Sequence, residues 1–193
     1  MKRIFALLLL LWAFATTATA QESIRVRIRT EVGNIDIELY PGRAPGTVEN
    51  FLRYVAGGFY EGGRFHRTVK LDNQPNNDVL IEVIQAGVNP ERRGESFDPI
   101  PLERTNVTGL RHEDGAISMA RGGPNSARSD IFICIEDQPS LDFGGDRNAD
   151  GQGFAAFGKV VDGMDVVRAI QAAPADAQSL TPPVGIISIE RLQ

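Results

Sequence analysis

The chain has 193 residues, including 20 Lys and Arg, 25 Asp and Glu and 2 His, and its formal net charge at pH 7 is −5. This acidic balance argues against sequence-independent nucleic-acid binding, because such binding needs a cationic face that releases phosphate counterions. Cys134 is the only cysteine. An internal disulfide is therefore excluded, and two histidines with one cysteine argue against a zinc site of the four-ligand kind.

The first twenty residues have the features of a secretory signal peptide. Lys2 and Arg3 precede an apolar run over 4–15, and residues 18–20 read Ala-Thr-Ala, the small-x-small ending of a cleavage site. The apolar run is too short to span a bilayer comfortably. We therefore predict a signal peptide over 1–20 and an exported mature domain over 21–193, with no membrane span after signal removal. Loss of Lys2 and Arg3, with no acid lost, takes the net charge from −5 to −7.

The mature chain begins with a predicted β-hairpin. In residues 24–29 every second position is Ile or Val and the others are Arg, and residues 35–39 alternate apolar with acidic side chains. Alternation with period 2 is typical of a half-buried strand. We expect the arginines and acids to form a solvated face with cross-strand pairs.

Two helices and several short strands follow. We predict that Thr47 caps a helix that ends at Gly57, and that a second helix runs over 164–172. Short apolar runs at 79–84, 115–119, 131–135, 154–161 and 184–189 are predicted strands. Many short strands with only two helices favour one domain built as a closed or nearly closed antiparallel barrel.

One stretch interrupts a strand pair. Phe65-His66-Arg67 begins a strand, a polar cluster fills 72–77, and an apolar run then ends in Gln85-Ala86-Gly87. We expect the polar cluster to be a hairpin extension at the rim of the barrel.

Ordered short motifs connect these segments to a known family. They are 44–51 (APGTVENF), 65–67 (FHR), 85–87 (QAG), 117–121 (ISMAR), 129–133 (SDIFI), 141–142 (LD) and 157–164 (FGKVVDGM). In this order the chain resembles the cyclophilin-type peptidyl-prolyl cis-trans isomerases, particularly the exported bacterial kind, over essentially all of 21–193. The resemblance implies a closed eight-stranded antiparallel barrel capped by two helices, periplasmic location, a monomer, and rotation of X-Pro bonds in proline-containing polypeptides without metal or cofactor.

The resemblance also assigns site residues by position. Arg67 matches the catalytic arginine, and Gln85 matches the glutamine that holds the substrate backbone. Ala120 and Arg121 lie on the strand that pairs with the peptide, so their backbone groups matter more than their side chains. The remaining substrate-binding positions are Val83, where the family usually has Met, Asp130, where it has Gln, the pocket residues Phe132 and Leu141, and Phe154, where it often has His.

Some positions leave alternatives open. Glu82 falls in or beside the apolar slot, and Ser140 replaces the usual Trp. These departures support a second hypothesis, in which the chain is a non-catalytic module that binds proline-containing segments as a holdase or scaffold. Residues 146–151 read D-x-N-x-D-G, the first half of a calcium loop, but the twelfth position is Phe157 where such a loop needs a bidentate Glu, which favours a loop of turn-forming residues. We expect a structural, hydrogen-bonded His66 on the opposite face from Arg67, and a solvated His112.

Overall fold

The computed structural model describes residues 23–192, so the predicted signal peptide lies outside the described residues. The strands are β1 Ile24–Thr30, β2 Gly33–Leu39, β3 Arg64–Val69, β4 Val83–Gly87, β5 Ala116–Met119, β6 Ile131–Cys134, β7 Ala155–Asp162, β8 Ala175–Asp176 and β9 Ser179–Arg191. The helices are α1 Pro45–Ala56, α2 Thr105–Thr108 and α3 Met164–Ala172. Within 23–192 no helix is long and apolar enough to cross a membrane.

The strands close into a barrel. Their order is β1-β2-β7-β5-β6-β4-β3-β9, all neighbours are antiparallel, and β9 pairs back with β1. The two-residue β8 forms a small hairpin with the start of β9. Closure leaves no unpaired edge along these eight strands. The prediction of a closed eight-stranded antiparallel barrel is confirmed.

The first hairpin forms as its alternation predicts. Val26 and Ile28 of β1 and the apolar residues of β2 are completely buried, whereas the arginines face out. Arg27 donates from Nε and Nη2 to the two carboxylate oxygens of Asp36 at 2.6 and 2.7 Å. This side-chain hydrogen bond raises the pKa of Arg27 and lowers that of Asp36.

The helix boundaries are partly as predicted. Helix α3 has the predicted bounds, but α1 begins at Pro45, so Thr47 lies inside the helix and does not cap it. The carboxylate of Glu103 caps α1 instead, because it accepts from the backbone N–H of Gly46 and Thr47 at 3.1 and 2.8 Å. A negative charge at a helix N-terminus also interacts favourably with the helix dipole.

The strand predicted over 79–84 begins later, at Val83. The buried side chain of Gln74 explains the delay, since its amide bonds both the N–H and the C=O of Ile81 at 3.3 and 2.8 Å. The backbone N–H and C=O of Ile81 are therefore bonded to a side chain and are not available for pairing with a neighbouring strand.

Two apolar clusters lie on opposite faces of the barrel wall. The larger fills the barrel and includes Phe65, Ile84 and Ile133. The smaller lies on the outer face of β3–β6 and consists of Val69, Ile81, Val83, Ala116, Phe132, Cys134 and Leu141, with Ala120 and Phe154 packed against it. Successive side chains of a strand point to opposite faces, so each of these strands supplies both clusters. The outer cluster is the floor of the candidate site.

Candidate active site

A β-bulge places Arg67 on the outer face of the barrel. Phe65 pairs with Ala86 but Arg67 pairs with Gln85, so one extra residue, His66, is accommodated in β3. Phe65 and Thr68 are both completely buried. In a regular strand without a bulge, Arg67 would lie two residues from Phe65 and share its inward face, and a bulge redirects a side chain in this way.

The guanidinium of Arg67 is held from two sides. Its Nε and Nη2 donate to Oε1 of Gln178 at 2.9 and 2.6 Å, and its Nη1 donates to Oε1 of Gln85 at 2.9 Å. These bonds fix the plane of the guanidinium and leave one N–H on Nη1 and one on Nη2 for a ligand.

Both partners of Arg67 are neutral amides, so its charge is not compensated by a carboxylate. Burial lowers the pKa of Arg67 from its usual value, and no ion pair offsets this within residues 23–192. An arginine stays protonated at neutral pH despite such a shift. The site therefore presents a fixed, charged donor that is only partly hydrated.

An apolar slot lies beside this donor. Phe132, Leu141 and Val83 are nearly fully buried at its base and wall. The rings of Phe132 and Phe154 meet edge to face, with centroids 5.3 Å apart and an interplanar angle of 88°. The slot has a volume of about 330 Å³ and is lined by both apolar side chains and Arg67.

The structure brings most of the predicted site residues together. Of the eight predicted substrate-binding residues, seven line the slot with Arg67: Val83, Gln85, Ala120, Arg121, Phe132, Leu141 and Phe154. Asp130 does not. It lies in a neighbouring cavity of about 500 Å³, 3.7 Å from Nη2 of Arg93, and Gln85, Ala120 and Arg121 line both cavities.

Glu82 lies outside the slot. Its Oε1 accepts from Nε2 of Gln171 in α3 at 3.0 Å, whereas its neighbours Ile81 and Val83 both line the slot. The slot therefore avoids the cost of an unpaired buried carboxylate.

The prediction of a solvated His112 is wrong. His112 is only 2% exposed, its Nδ1 lies 2.7 Å from Oδ1 of Asp142, and its Nε2 lies 3.0 Å from Oγ of Ser118. Its ring stacks on that of Phe132, with centroids 5.8 Å apart. Since Ser118 is completely buried, we read this group as a support for the aromatic floor of the slot.

His66 departs from simple alternation because of the bulge. It is half-buried in a separate shallow cavity beside Arg93 and Asp130, and burial lowers its pKa. His66 and Arg67 line different cavities, but both lie outside the apolar barrel interior, so the prediction that they occupy opposite faces is wrong.

The polar interruption between β3 and β4, residues 70–82, is more than a rim extension. We name it the insert loop. It contributes Asn77 and Ile81 to the slot. The carbonyl of Asn73 accepts from Nε2 of Gln178 at 3.0 Å, and its side-chain amide donates to the carbonyls of Thr68 and Ala177. The insert loop therefore helps to hold the amide that anchors Arg67.

A second loop, residues 144–153, closes the other side of the slot. Arg121 donates to both oxygens of Asp150 at 2.7 and 2.9 Å and to the carbonyl of Gly153. The side chain of Arg121 is only 1% exposed, so it has a structural role beyond the backbone role predicted for this residue. The hydrogen bond from Arg121 holds the pKa of Asp150 at about 2.

The calcium hypothesis finds little support in this geometry. Both carboxylate oxygens of Asp150 accept hydrogen bonds from Arg121, and Asn148 lines the slot. Across residues 23–192 no group of three or more His, Cys, Asp or Glu side chains is arranged to hold a metal ion.

Sequence reasoning missed four residues that line the slot, Asn77, Ile81, Arg147 and Asn148, and a fifth, Gln178, that bonds Arg67. Gln178 anchors Arg67, while Arg147 and Asn148 reach the slot from the second loop. Gln178 lies 111 positions from Arg67 in the chain, and no local pattern links the two. Arg147 belongs to the stretch 146–151, whose sequence pattern points to a calcium loop and not to this slot.

Together, the fold and the site define a closed antiparallel β-barrel with a charged, apolar-lined slot on its outer wall. Residues 25–191 match the family described as cyclophilin type peptidyl-prolyl cis-trans isomerase/CLD. A peptidyl-prolyl cis-trans isomerase of Acinetobacter baylyi is 34% identical over 90% of this chain and 88% of its own length. Peptidyl-prolyl cis-trans isomerase A of Dickeya dadantii is 38% identical over 88% and 84%, respectively.

Solved structures agree with these relatives. The crystal structure of a cyclophilin type peptidyl-prolyl cis-trans isomerase from Cryptosporidium parvum superimposes with a TM-score of 0.71 at 25% identity, covering 89% of this chain and 99% of that one. The same protein solved in the presence of the dipeptide Ala-Pro gives a TM-score of 0.70. The chain belongs to the cyclophilin-type peptidyl-prolyl cis-trans isomerase family.

Proposed function

We propose that this protein catalyses cis-trans isomerisation of X-Pro peptide bonds, with Arg67 as the catalytic residue. The observation that carries the proposal is the position of the Arg67 guanidinium. Two neutral amides fix it beside an apolar slot, and two of its N–H groups have no partner within residues 23–192. The match to the family and the names of the relatives support the same activity.

The chemistry of the reaction explains why such a site is needed. An amide rotates over a barrier of about 18–20 kcal/mol, because the nitrogen lone pair is delocalised into the carbonyl. In the twisted amide that lone pair is localised on the prolyl nitrogen. A donor that bonds the nitrogen only in this state lowers the barrier without stabilising either planar form.

The slot residues then have separate tasks. Phe132, Leu141 and Val83 hold the pyrrolidine ring by apolar contact, so the carbonyl of the preceding residue is the part that swings. Gln85 lies beside Arg67 and can bond the substrate backbone once the ring is seated. The N–H of Ala120 is already donated to the carbonyl of Asp130 at 2.8 Å, which leaves the Ala120 carbonyl and the backbone of Arg121 for the peptide.

The decisive test is exchange between cis and trans forms of a short Ala-Pro peptide, measured by NMR with purified mature protein. We expect acceleration over background and a loss of about 100-fold or more in kcat/KM for Arg67→Ala, the effect typical of removing one transition-state donor. Arg29→Ala, which removes an exposed arginine on β1, is the matched control and keeps full activity. Equal rates for Arg67→Ala and wild type would contradict the assignment.

The non-catalytic alternative has a distinct outcome in the same experiment. A holdase or scaffold would bind the peptide in a titration and leave the exchange rate at background. The position of Glu82 outside the slot removes one of the features that motivated this alternative.

We further propose that the protein is exported to the periplasm and acts there as a monomer on exported polypeptides. The cationic start, apolar run and Ala-Thr-Ala ending of residues 1–20 support export. N-terminal sequencing of protein from the periplasmic fraction should start at Gln21, and light scattering should give a monomer mass. Protein that keeps residues 1–20 and is found in the cytoplasm would contradict export.

A further inference from the structure

Arg147 gives the slot a second cation. It reaches the slot from the second loop, where its Nη1 donates to the carbonyl of Val79 in the insert loop at 2.6 Å. This contact joins the second loop to the insert loop, and the half-buried Arg147 lines the same cavity as Arg67.

The charge of the slot is not balanced. Three arginines line it, Arg67, Arg121 and Arg147, and none of its described lining residues is acidic. Arg121 is neutralised by Asp150. Arg67 and Arg147 bond only neutral oxygens, and neither forms an ion pair within residues 23–192. Burial first, and then the charge of Arg67, lowers the pKa of Arg147.

An unused neutral donor lies next to this cation. Nδ2 of Asn148 is buried without a hydrogen-bond partner in the described part of the chain, and Asn148 lines the slot. A buried donor without a partner is costly, so a ligand that accepts from it would recover free energy. The uncompensated guanidinium of Arg147 and a free amide N–H beside it match a carboxylate, and Arg67 adds a second positive charge to the same slot.

The position of Arg147 indicates where that carboxylate lies along the substrate. Gln85, Ala120 and Arg121 line both the slot and the neighbouring cavity, and Ala120 and Arg121 offer the backbone groups proposed to pair with the peptide, so we place the residues that precede proline along this cavity. Arg147 and Asn148 line only the slot. We accordingly place the residue that follows proline on their side of the slot.

We propose that Arg147 makes this site selective for X-Pro segments with a carboxylate directly after proline. That carboxylate is either the side chain of a following Asp or Glu or the terminal carboxylate of a chain that ends in proline. The inference rests on the proposed function, since it names the substrate class of the same slot.

Two peptide pairs test the proposal and separate the two sources of the carboxylate. The first pair is Ala-Ala-Pro-Glu-Ala and Ala-Ala-Pro-Gln-Ala with both ends blocked, and the second is Ala-Ala-Pro as free acid and as amide. NMR exchange gives kcat/KM, and titration gives Kd, for each peptide. For wild type we expect at least one pair to favour the carboxylate about three- to tenfold at low salt, the range of a partly exposed ion pair, and less at high salt.

Variants separate the charge of Arg147 from its structural contact. We expect Arg147→Gln to treat both peptides of a pair alike, so that the ratio of their kcat/KM values is one. Arg147→Lys should keep part of the preference for the carboxylate. Arg29→Gln, the same charge change on β1, should leave the preference as in wild type. A preference of one in wild type for both pairs, or an unchanged preference in Arg147→Gln, would overturn the proposal.

The proposed function can fail separately. Absence of exchange catalysis on every peptide would contradict the isomerase activity, while the ratio of Kd values within each pair would still decide whether Arg147 selects a carboxylate.

Discussion

The anchoring of Arg67 by Gln178 makes a quantitative prediction. In Gln178→Leu a side chain of similar size loses the oxygen that accepts from Nε and Nη2 of Arg67. Only the bond from Nη1 to Gln85 then orients the guanidinium, which becomes free to swing about it. Arg67 keeps its charge in this variant but loses its fixed direction.

The magnitude follows from the two lost bonds. A hydrogen bond to a charged group contributes about 1.5–3 kcal/mol, and water replaces part of it here because Arg67 is half-exposed. We therefore take a loss of about 1.5 kcal/mol for the pair, which corresponds to roughly tenfold in rate. The loss should fall on kcat more than on KM, because the bond from Arg67 to the prolyl nitrogen is made only in the twisted state.

NMR exchange at several peptide concentrations measures both constants. Gln178→Glu is the companion variant, because it retains an acceptor for Arg67 but adds a compensating charge. We expect this variant to be at least as stable as wild type in thermal unfolding and still less active. Wild-type kcat in Gln178→Leu would refute the view that Gln178 positions Arg67.

Three further predictions concern the support of the slot. His112→Ala should lower the free energy of unfolding by about 3 kcal/mol in urea titrations followed by circular dichroism, because it leaves Ser118 and Asp142 without their buried partner; a loss below about 1 kcal/mol would contradict this role. Cys134 is completely buried and burial raises the pKa of its thiol, so a thiol reagent at pH 8 should label it only after unfolding; rapid labelling of the native protein would be the contrary result. The pKa of Asp150 is about 2, below the usual value of about 3.9, so its pair with Arg121 stabilises the fold fully above about pH 4 and is lost as the pH falls towards 2. Asp150→Asn should accordingly lose less stability than wild type between pH 5 and about 2.5, and parallel acid-unfolding curves would show that the pair does not contribute.

The barrel could be predicted from the sequence because its signals are local. The alternation in residues 24–29 and 35–39 describes one buried and one solvated face, and the structure has that hairpin. The apolar spacing of 164–172 likewise gave the observed bounds of α3. Where a distant side chain competes for the backbone, local signals mislead: Glu103 caps α1 in place of Thr47, and Gln74 delays β4.

Most residues of the candidate site could also be predicted from the sequence, but their contacts could not. Ordered motifs identified Arg67 and seven residues that share its slot, but a pattern along the chain cannot state which side chains meet across it. Asp130, predicted to bind substrate, lies in the next cavity and not in the slot, and His112 was taken for a surface residue although it supports Phe132. Both depend on neighbours contributed by other elements.

The sequence by itself determined the alternating strands, the second helix, the acidic balance and the residue types that the reaction needs. Only the tertiary structure decided the direction and the surroundings of Arg67. The bulge at His66 turns it outward, Gln178 reaches it from the turn before the neighbouring strand β9, and the second loop brings Arg147 to the same slot. The physical reason is that the reactivity of a cation depends on its hydrogen-bond partners and the charges around it, and here those partners come together only when the barrel closes.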